Sequence, residues 1–228
     1  EPMFYGWKPY VPVAQRRAKA AAKLAKLCKK SGCSQEPVVL NGRKIATTFW
    51  GKSWCDHLES HSDFSNRLPR GRTYVRNGSV VDLQIERGVV RSCVSGSDLY
   101  NIEIKISPLD RSKWDKIREV CRGKIGSLIE LLKGHFSESV MKILCDQQNG
   151  LFPQPGEFKF SCSCPDWASM CKHVAATLYG VGSRLDSKPE LLFLLRGVDQ
   201  SELIGEVFQA VSDHVATTTS GDFPESEL

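Results

Sequence analysis

The β-branched residues of this chain concentrate in residues 72–106, RTYVRNGSVVDLQIERGVVRSCVSGSDLYNIEIKI. The segments RTYV, SVVDLQIE, VVRSCVS and YNIEIKIS are typical of β-strands. Turn-forming pairs separate them, at Asn77-Gly78, Arg87-Gly88 and Gly96-Ser97. Such short connections join antiparallel neighbours, so the sequence predicts four antiparallel strands in a small sheet.

Helical patterns lie on both sides of this sheet region. Before it, the sequence predicts a basic amphipathic helix at 13–30 and a short helix within 49–68. After it, we predict helices at 111–121, 125–134 and 137–147, a strand at 158–162, and helices that begin near residues 171, 189 and 200. The fold class is therefore predicted to be α+β, with helices packed on a small antiparallel sheet.

Two prolines and two glycines in NGLFPQPGE, residues 149–157, indicate a loop between two regions. We divide the chain into four segments. They are a basic N-terminal helical arm (1–48), an α+β core (49–148), a zinc-finger module of strand, knuckle and helix (149–198), and a C-terminal helix with an acidic tail (199–228).

Composition favours an ordinary globular protein, with 41% hydrophobic and 25% charged residues. No apolar run approaches the roughly 20 residues of a membrane span, and EPMFYGWKPY at the start lacks the apolar core of a secretory signal. Nine irregularly spaced cysteines fit reduced thiols better than a disulfide framework. We expect a cytoplasmic protein without a membrane partner.

The net charge of +5 is unevenly distributed. Eight basic residues and no acidic one lie between Lys8 and Lys30, whereas seven acidic residues and no Lys or Arg follow Arg196. A second basic stretch enters the first predicted strand. Because guanidinium groups bind phosphate and aromatic rings stack on bases, we predict nucleic-acid contacts from this stretch and from a lysine in the metal motif: Arg67, Arg70, Arg72, Tyr74, Arg76 and Lys172.

That assignment has an alternative. On a strand, Arg72, Tyr74 and Arg76 would share one face. The same face could instead be solvated, with its arginines paired to carboxylates such as Asp82 or Glu86.

The densest chemical motif is CSCPDWASMCKH, which holds Cys162, Cys164, Cys171 and His173. Structural zinc prefers four tetrahedral nitrogen and sulfur ligands, and these four residues fill that shell. We therefore predict one structural Zn²⁺. No position remains for a catalytic water, so we expect neither an enzyme nor a small-molecule substrate. Within the loop, we expect Asp166 to accept backbone N–H groups and Trp167 to pack over the site or face a partner.

Two alternatives to this zinc assignment stay open. The four residues can be ordinary buried cysteines and a core histidine, or a site of iron–sulfur or redox chemistry. A second metal site can also be imagined, because Cys55-x-His57 repeats the Cys-x-His spacing and Cys28 and Cys33 lie upstream. Buried or surface thiols are the simpler interpretation of those four residues.

The segment CSCPDWASMCKHVAA resembles the SWIM zinc-finger signature, Cys-x-Cys followed by a variable loop and Cys-x-His. The chain is also similar to the bacterial SWIM zinc-finger family from about Phe49 to Val198, through FWGKSWCDHLE, NRLPRGRTYVRNGSVVDLQI, LFPQPGE and KHVAATLYGVGSRLD. This resemblance implies a SWIM module at 149–198, zinc binding, and contact with DNA or protein alongside Swi/Snf-type helicase-like ATPases. The alternative is a protein-binding adaptor that contacts no nucleic acid.

Overall fold

A computed structural model describes residues 11–31, 34–61, 64–125 and 136–203. The helices in these ranges are α1 (Val13–Ser31), α2 (Phe49–Ser60), α3 (Leu68–Arg76), α4 (Arg111–Cys121), α5 (Glu138–Leu144), α6 (Lys172–Leu185) and α7 (Glu190–Arg196). The strands are β1 (Val80–Glu86), β2 (Val89–Ser95), β3 (Leu99–Ile106) and β4 (Phe158–Cys162). Two short 3₁₀ turns, Pro155–Glu157 and Gln200–Leu203, complete the set.

The four strands form one antiparallel sheet in the order β1-β2-β3-β4. Tight turns join β1, β2 and β3, whereas β4 returns after α4 and α5 and pairs Phe158 with Ile106 and Cys162 with Ile102. The predicted α+β class with a small antiparallel sheet is thus confirmed. The division predicted near residue 149 falls between two neighbouring strands of this sheet.

One predicted strand is wrong. Residues 72–75, RTYV, lie within helix α3, and the fourth strand of the sheet is β4 instead. The buried positions of α3 are Leu68, Gly71 and Val75, spaced by three and four residues as on one face of a helix. Packing of that face against α6 therefore outweighs the β-propensity of the β-branched residues.

Most other predicted elements are present. The predicted helices at 13–30, within 49–68, at 111–121 and after Pro189 correspond to α1, α2, α4 and α7. The predicted helix at 137–147 is shorter, because Ser137 caps α5 through its hydroxyl oxygen and the helix ends at Leu144. The helix predicted at 125–134 and most of the one predicted from Gln200 fall outside the described residues. Within the described residues, no helix is long and apolar enough to cross a bilayer.

Helix α6 is the centre of the core. It contacts all four strands, and α2 and α3 pack on it from the other side. Most of its side chains are buried, which explains why its sequence reads as apolar on several faces. Polar contacts fix its position, since the Trp54 indole donates to the Leu178 carbonyl at 2.9 Å and Thr177 donates to Ser92 at 3.1 Å.

Helix α1 covers the opposite face of the sheet. Ala20, Leu24 and Cys28 form a small buried cluster with Val81 of β1. This is the Ala/Leu strip of the amphipathic pattern. Arg16 of α1 is half-buried, whereas these basic residues are exposed: Arg17, Lys19, Lys23, Lys26 and Lys29. The arm is therefore docked on the sheet through its apolar side.

Gly71 permits the close approach of α3 to α6. A Cβ atom built on Gly71 would lie 2.4 Å from the Ala175 Cβ and 2.8 Å from the Ala175 carbonyl carbon. We expect Gly71→Ala to destabilise the protein by about 1–3 kcal/mol, because α3 must move away from α6. Chemical denaturation measures this. Gly156→Ala is the matched control, since its Cβ would meet no atom within 4 Å, and equal effects of the two changes would contradict the close-packing argument.

Candidate metal centre

Cys162, Cys164, Cys171 and His173 lie together at the junction of β4 and α6. Their four ligand atoms are all within 4.8 Å of one another. The His173 Nδ1 lies 3.8 Å from the sulfur of Cys162 and 3.8 Å from that of Cys171. A tetrahedral zinc shell with bonds of ~2.0–2.3 Å separates its ligand atoms by roughly 3.5–3.8 Å. The cluster can therefore hold a metal ion after only a small contraction.

Strand pairing places the first two cysteines. Cys162 ends β4 opposite Ile102, and the next residue continues the pairing, because the Ser163 N–H donates to the Asn101 carbonyl at 3.0 Å. In this extended segment, side chains alternate with period two, so Cys162 and Cys164 point to the same side. The Cys-x-Cys spacing at the end of this strand thus provides two of the four candidate ligands.

The beginning of α6 places the other two ligands. Cys171 is the N-cap residue, and its carbonyl accepts the Ala175 N–H at 3.0 Å. The Cys162 thiol donates to the Cys171 sulfur, which lowers the pKa of Cys171 and raises that of Cys162. The positive end of the helix dipole also favours a thiolate at this position. A bound cation would replace the proton that the two sulfurs share.

His173 is enclosed by aromatic rings and is 1% exposed. Its ring stacks on Tyr100 with centroids 4.3 Å apart and meets Tyr74 edge-on at 5.4 Å. While Nδ1 faces the sulfurs, Nε2 faces Gly96, where an added Cβ would lie only 3.1 Å away. Nε2 has no hydrogen-bond partner in the protein. This packing aims Nδ1 at the cluster, as a metal ligand requires.

The loop between the two ligand pairs is anchored at Asp166 and exposed at Trp167. The Asp166 carboxylate accepts the Ala168 N–H at 3.2 Å, as predicted, and pairs with Arg67 at 3.4 Å. Trp167 is 94% exposed. Of the two placements expected for this indole, packing over the metal cluster is therefore wrong, and the side chain is exposed as a contact with a partner would require.

Because residues 68–76 form helix α3 rather than a strand, the predicted nucleic-acid residues there point in different directions. Arg72 and Arg76 are one helical turn apart, whereas Tyr74 points elsewhere and contacts His173, so the three do not share one face. Arg67 pairs with Asp166, and Arg72 pairs with Glu59 at 2.5 Å and donates to the Tyr179 hydroxyl at 3.2 Å. The carboxylate partners thus differ from the predicted Asp82 and Glu86.

The remaining predicted cations are more accessible. Arg70 and Arg76 are exposed, and no ion pair joins either to a described residue. Arg76 donates through Nε to the Arg43 carbonyl at 3.1 Å. Lys172 is half-buried with its ammonium group 6.0 Å from the Tyr74 ring centre. Two of the five predicted arginine and lysine contacts are therefore neutralised within the fold, and three are not.

A second metal site is not assembled in the described part of the chain. Cys55 and His57 are two positions apart on α2 and point to different sides. His57 Nε2 lies 2.9 Å from the Pro153 carbonyl oxygen. Cys28 is disulfide-bonded, contrary to the expectation of reduced thiols throughout, and Cys33 lies outside the described residues. Among these residues, the Cys₃His cluster is the one group of three or more candidate ligands close enough to share an ion.

Sequence reasoning missed the residues that orient His173. Gly96 lies in the turn between β2 and β3, Tyr100 lies in β3, and both precede His173 by more than 70 positions. A turn-forming Gly-Ser pair was the only local signal, and it indicates a turn rather than contact with a histidine. These roles arise from tertiary packing alone.

Comparison with known proteins gives one relative and no family. No family model and no solved structure matches the chain. The chain is 33% identical over 175 residues to "Uncharacterized protein Rv2102" of Mycobacterium tuberculosis. The matched region is 75% of this chain and 63% of that protein, so the chain spans less than two thirds of the relative's length.

Proposed function

We propose that this chain is a SWIM-type module whose Cys162, Cys164, Cys171 and His173 bind one structural Zn²⁺. The observation that carries the proposal is the convergence of three sulfurs and one imidazole nitrogen within 4.8 Å. Three thiolates with one imidazole are a soft donor set that suits zinc. The resemblance of CSCPDWASMCKHVAA to the SWIM signature supports the same assignment.

The proposed role of this ion is structural. When bound, zinc supplies a cross-link between the end of β4, the loop and the beginning of α6. Native mass spectrometry of protein purified without added metal tests the identity of the ion. One zinc per chain is the expected result, and iron or a metal-free chain would contradict it.

We further propose that the module is not an enzyme. Four protein ligands leave a tetrahedral ion without a position for water, which catalytic zinc requires. The described thiols outside the cluster are also poor nucleophiles. Burial raises the pKa of the Cys55 thiol to about 12 and those of Cys93 and Cys121 to about 11, so all three are protonated at neutral pH.

The proposed partners are DNA and a Swi/Snf-type helicase-like ATPase. The exposed Arg70 and Arg76 of α3 and the half-buried Lys172 at the beginning of α6 support contact with phosphates. Helix α1 adds seven basic residues and no acidic one. The ATPase partnership rests on the SWIM resemblance, and the exposed Trp167 in the metal loop is the side chain that best suits a protein contact. We also propose that the module is cytoplasmic, because seven of the eight described cysteines are free, although the disulfide at Cys28 argues in the other direction.

A protein-binding adaptor without nucleic-acid contact is the second candidate. The internal pairing of Arg67 and Arg72 favours it, since those cations are already neutralised. Under this alternative, Trp167 and the metal loop would form the protein-binding surface. Direct measurement of DNA binding separates the two candidates.

We expect duplex DNA to bind the zinc-loaded protein with a log–log salt dependence of roughly −2 to −3, as three phosphate contacts require. Fluorescence anisotropy over a salt series measures this slope. Arg70→Gln should reduce it by about 1, whereas Lys113→Gln, an exposed cation on α4, should leave it unchanged. Absence of binding at low salt would favour the adaptor.

A further inference from the structure

A cleft of about 430 Å³ lies between α1, the extended segment at 35–40 and the end of α3. Two arginines line it, Arg17 from α1 and Arg76 from α3. No aspartate or glutamate of the described residues does so. Its electrostatic character is therefore positive and uncompensated.

The main chain holds both arginines in place. Arg17 donates through Nη1 to the Asn77 carbonyl at 3.2 Å, and a Cβ at Gly78 would come within 2.7 Å of that nitrogen. Arg76 donates through Nε to the Arg43 carbonyl at 3.1 Å. Each guanidinium has five N–H donors, so these contacts position both groups and leave most of their donors for a ligand.

The remaining wall of the cleft is apolar. Val38, Val75 and Val81 are buried along it, whereas Val39 is 75% exposed. The segment that carries Val39 is fixed to the sheet, because the Val38 N–H donates to the Val80 carbonyl at 3.1 Å and Glu36 accepts from the Leu83 N–H at 2.9 Å. A rigid main chain thus presents an apolar side chain beside two cations.

We propose that this cleft binds one nucleotide unit of a nucleic-acid strand, with the phosphate between Arg17 and Arg76 and the sugar against Val39. Guanidinium groups accept a phosphate through paired N–H donors, and a furanose ring offers an apolar edge. The cleft is partly open to solvent, so a nucleotide unit can enter it while its strand continues outside. This inference rests on the proposed nucleic-acid contact and assigns it a new site that combines α1 with α3.

Binding of labelled 20-nucleotide single-stranded DNA and 20-base-pair duplex DNA to the full chain tests the site. Arg17→Gln and Arg76→Gln should each weaken binding about tenfold at low salt and reduce the salt slope by about 0.9. Arg17→Lys should weaken binding and leave the salt slope unchanged, because lysine keeps the positive charge but lacks the paired N–H donors of the guanidinium group. The matched controls, Lys113→Gln and Lys116→Gln, remove equal charge from exposed positions of α4 and should change affinity less than twofold.

An apolar position provides a second readout. Val39→Asp places a carboxylate at the mouth of the cleft without disturbing the core, since Val39 is 75% exposed. About a tenfold loss of DNA affinity is expected, whereas Val120→Asp on α4, at a side chain 49% exposed, should have little effect. Thermal melting of all variants verifies that they are folded.

The outcomes separate this site from the broader function. If the unaltered protein binds no DNA at low salt, both proposals fail. If it binds DNA but the Arg17, Arg76 and Val39 variants behave like their controls, the cleft assignment is wrong and the DNA-binding proposal stands. If AMP or inorganic phosphate binds and only that binding is lost in the variants, the cleft is a small-anion site, which overturns the assignment to a nucleic-acid strand.

Discussion

Cys171→Ser and His173→Ala are each expected to abolish stoichiometric zinc binding. Each change removes one of four ligands from a cluster in which both side chains are almost fully buried. A serine hydroxyl is a far weaker zinc ligand than a thiolate. The loss of zinc affinity should exceed the 10–100-fold that follows from losing an outer-shell partner. Metal analysis after gel filtration measures the zinc content per chain.

The same variants should lose much of the stability that zinc provides. Zinc binding to structural sites contributes apparent free energies of about 10–16 kcal/mol in small fingers. Here the sheet and α6 also have a large apolar core, so we expect a lowered melting midpoint rather than complete unfolding. A chelator should lower the midpoint of the unaltered protein and leave that of Cys171→Ser unchanged.

Cys93→Ser is the matched control for these changes. Cys93 is a free, half-buried cysteine in β2 that lies outside the metal cluster. Its replacement should leave one zinc per chain and the same response to chelator. Retention of a full equivalent of zinc by both Cys171→Ser and His173→Ala would refute the ligand assignment.

Arg196→Met is expected to lower the free energy of unfolding by about 3 kcal/mol. Arg196 is 1% exposed, donates to the Ser107 carbonyl at 2.6 Å and pairs with Glu157 at 2.7 Å. Removing the guanidinium leaves a partly buried carboxylate and a carbonyl without their partner, and breaking a buried pair in this way is costly. Urea denaturation measures the difference.

The surface arginine Arg91 provides the comparison for this prediction. It pairs with Glu86 and with Glu103 on an exposed part of the sheet, where ion pairs add little to stability. Arg91→Met should therefore leave the free energy of unfolding nearly unchanged. In the double variant Arg196→Met/Glu157→Gln, part of the loss should be recovered, because no unpaired charge remains. A loss for Arg196→Met as small as that for Arg91→Met would contradict the role of the buried pair.

Local patterns predicted much of the fold. Helices α1, α2 and α4 and the turns at Gly88 and Gly96 follow from helical periodicity and glycine-containing turn pairs, which act over a few residues. The four candidate metal ligands were also accessible from sequence. Cys162 and Cys164 are two apart at the end of a strand, and Cys171 and His173 are two apart at the beginning of a helix, so each pair is set by its own local geometry.

Contacts between distant segments decided the rest. RTYV has the composition of a strand, but Gly71 and Val75 pack on α6, and residues 68–76 are therefore helical. Arg67 pairs with Asp166, 99 positions away, and no local pattern could predict this ion pair. The sequence by itself determined most of the described helices, the turns and the four candidate metal ligands, because these depend on neighbouring residues. Only the tertiary structure decided which segment became the fourth strand and which arginines stayed unpaired, because burial and ion pairing depend on segments that meet through folding.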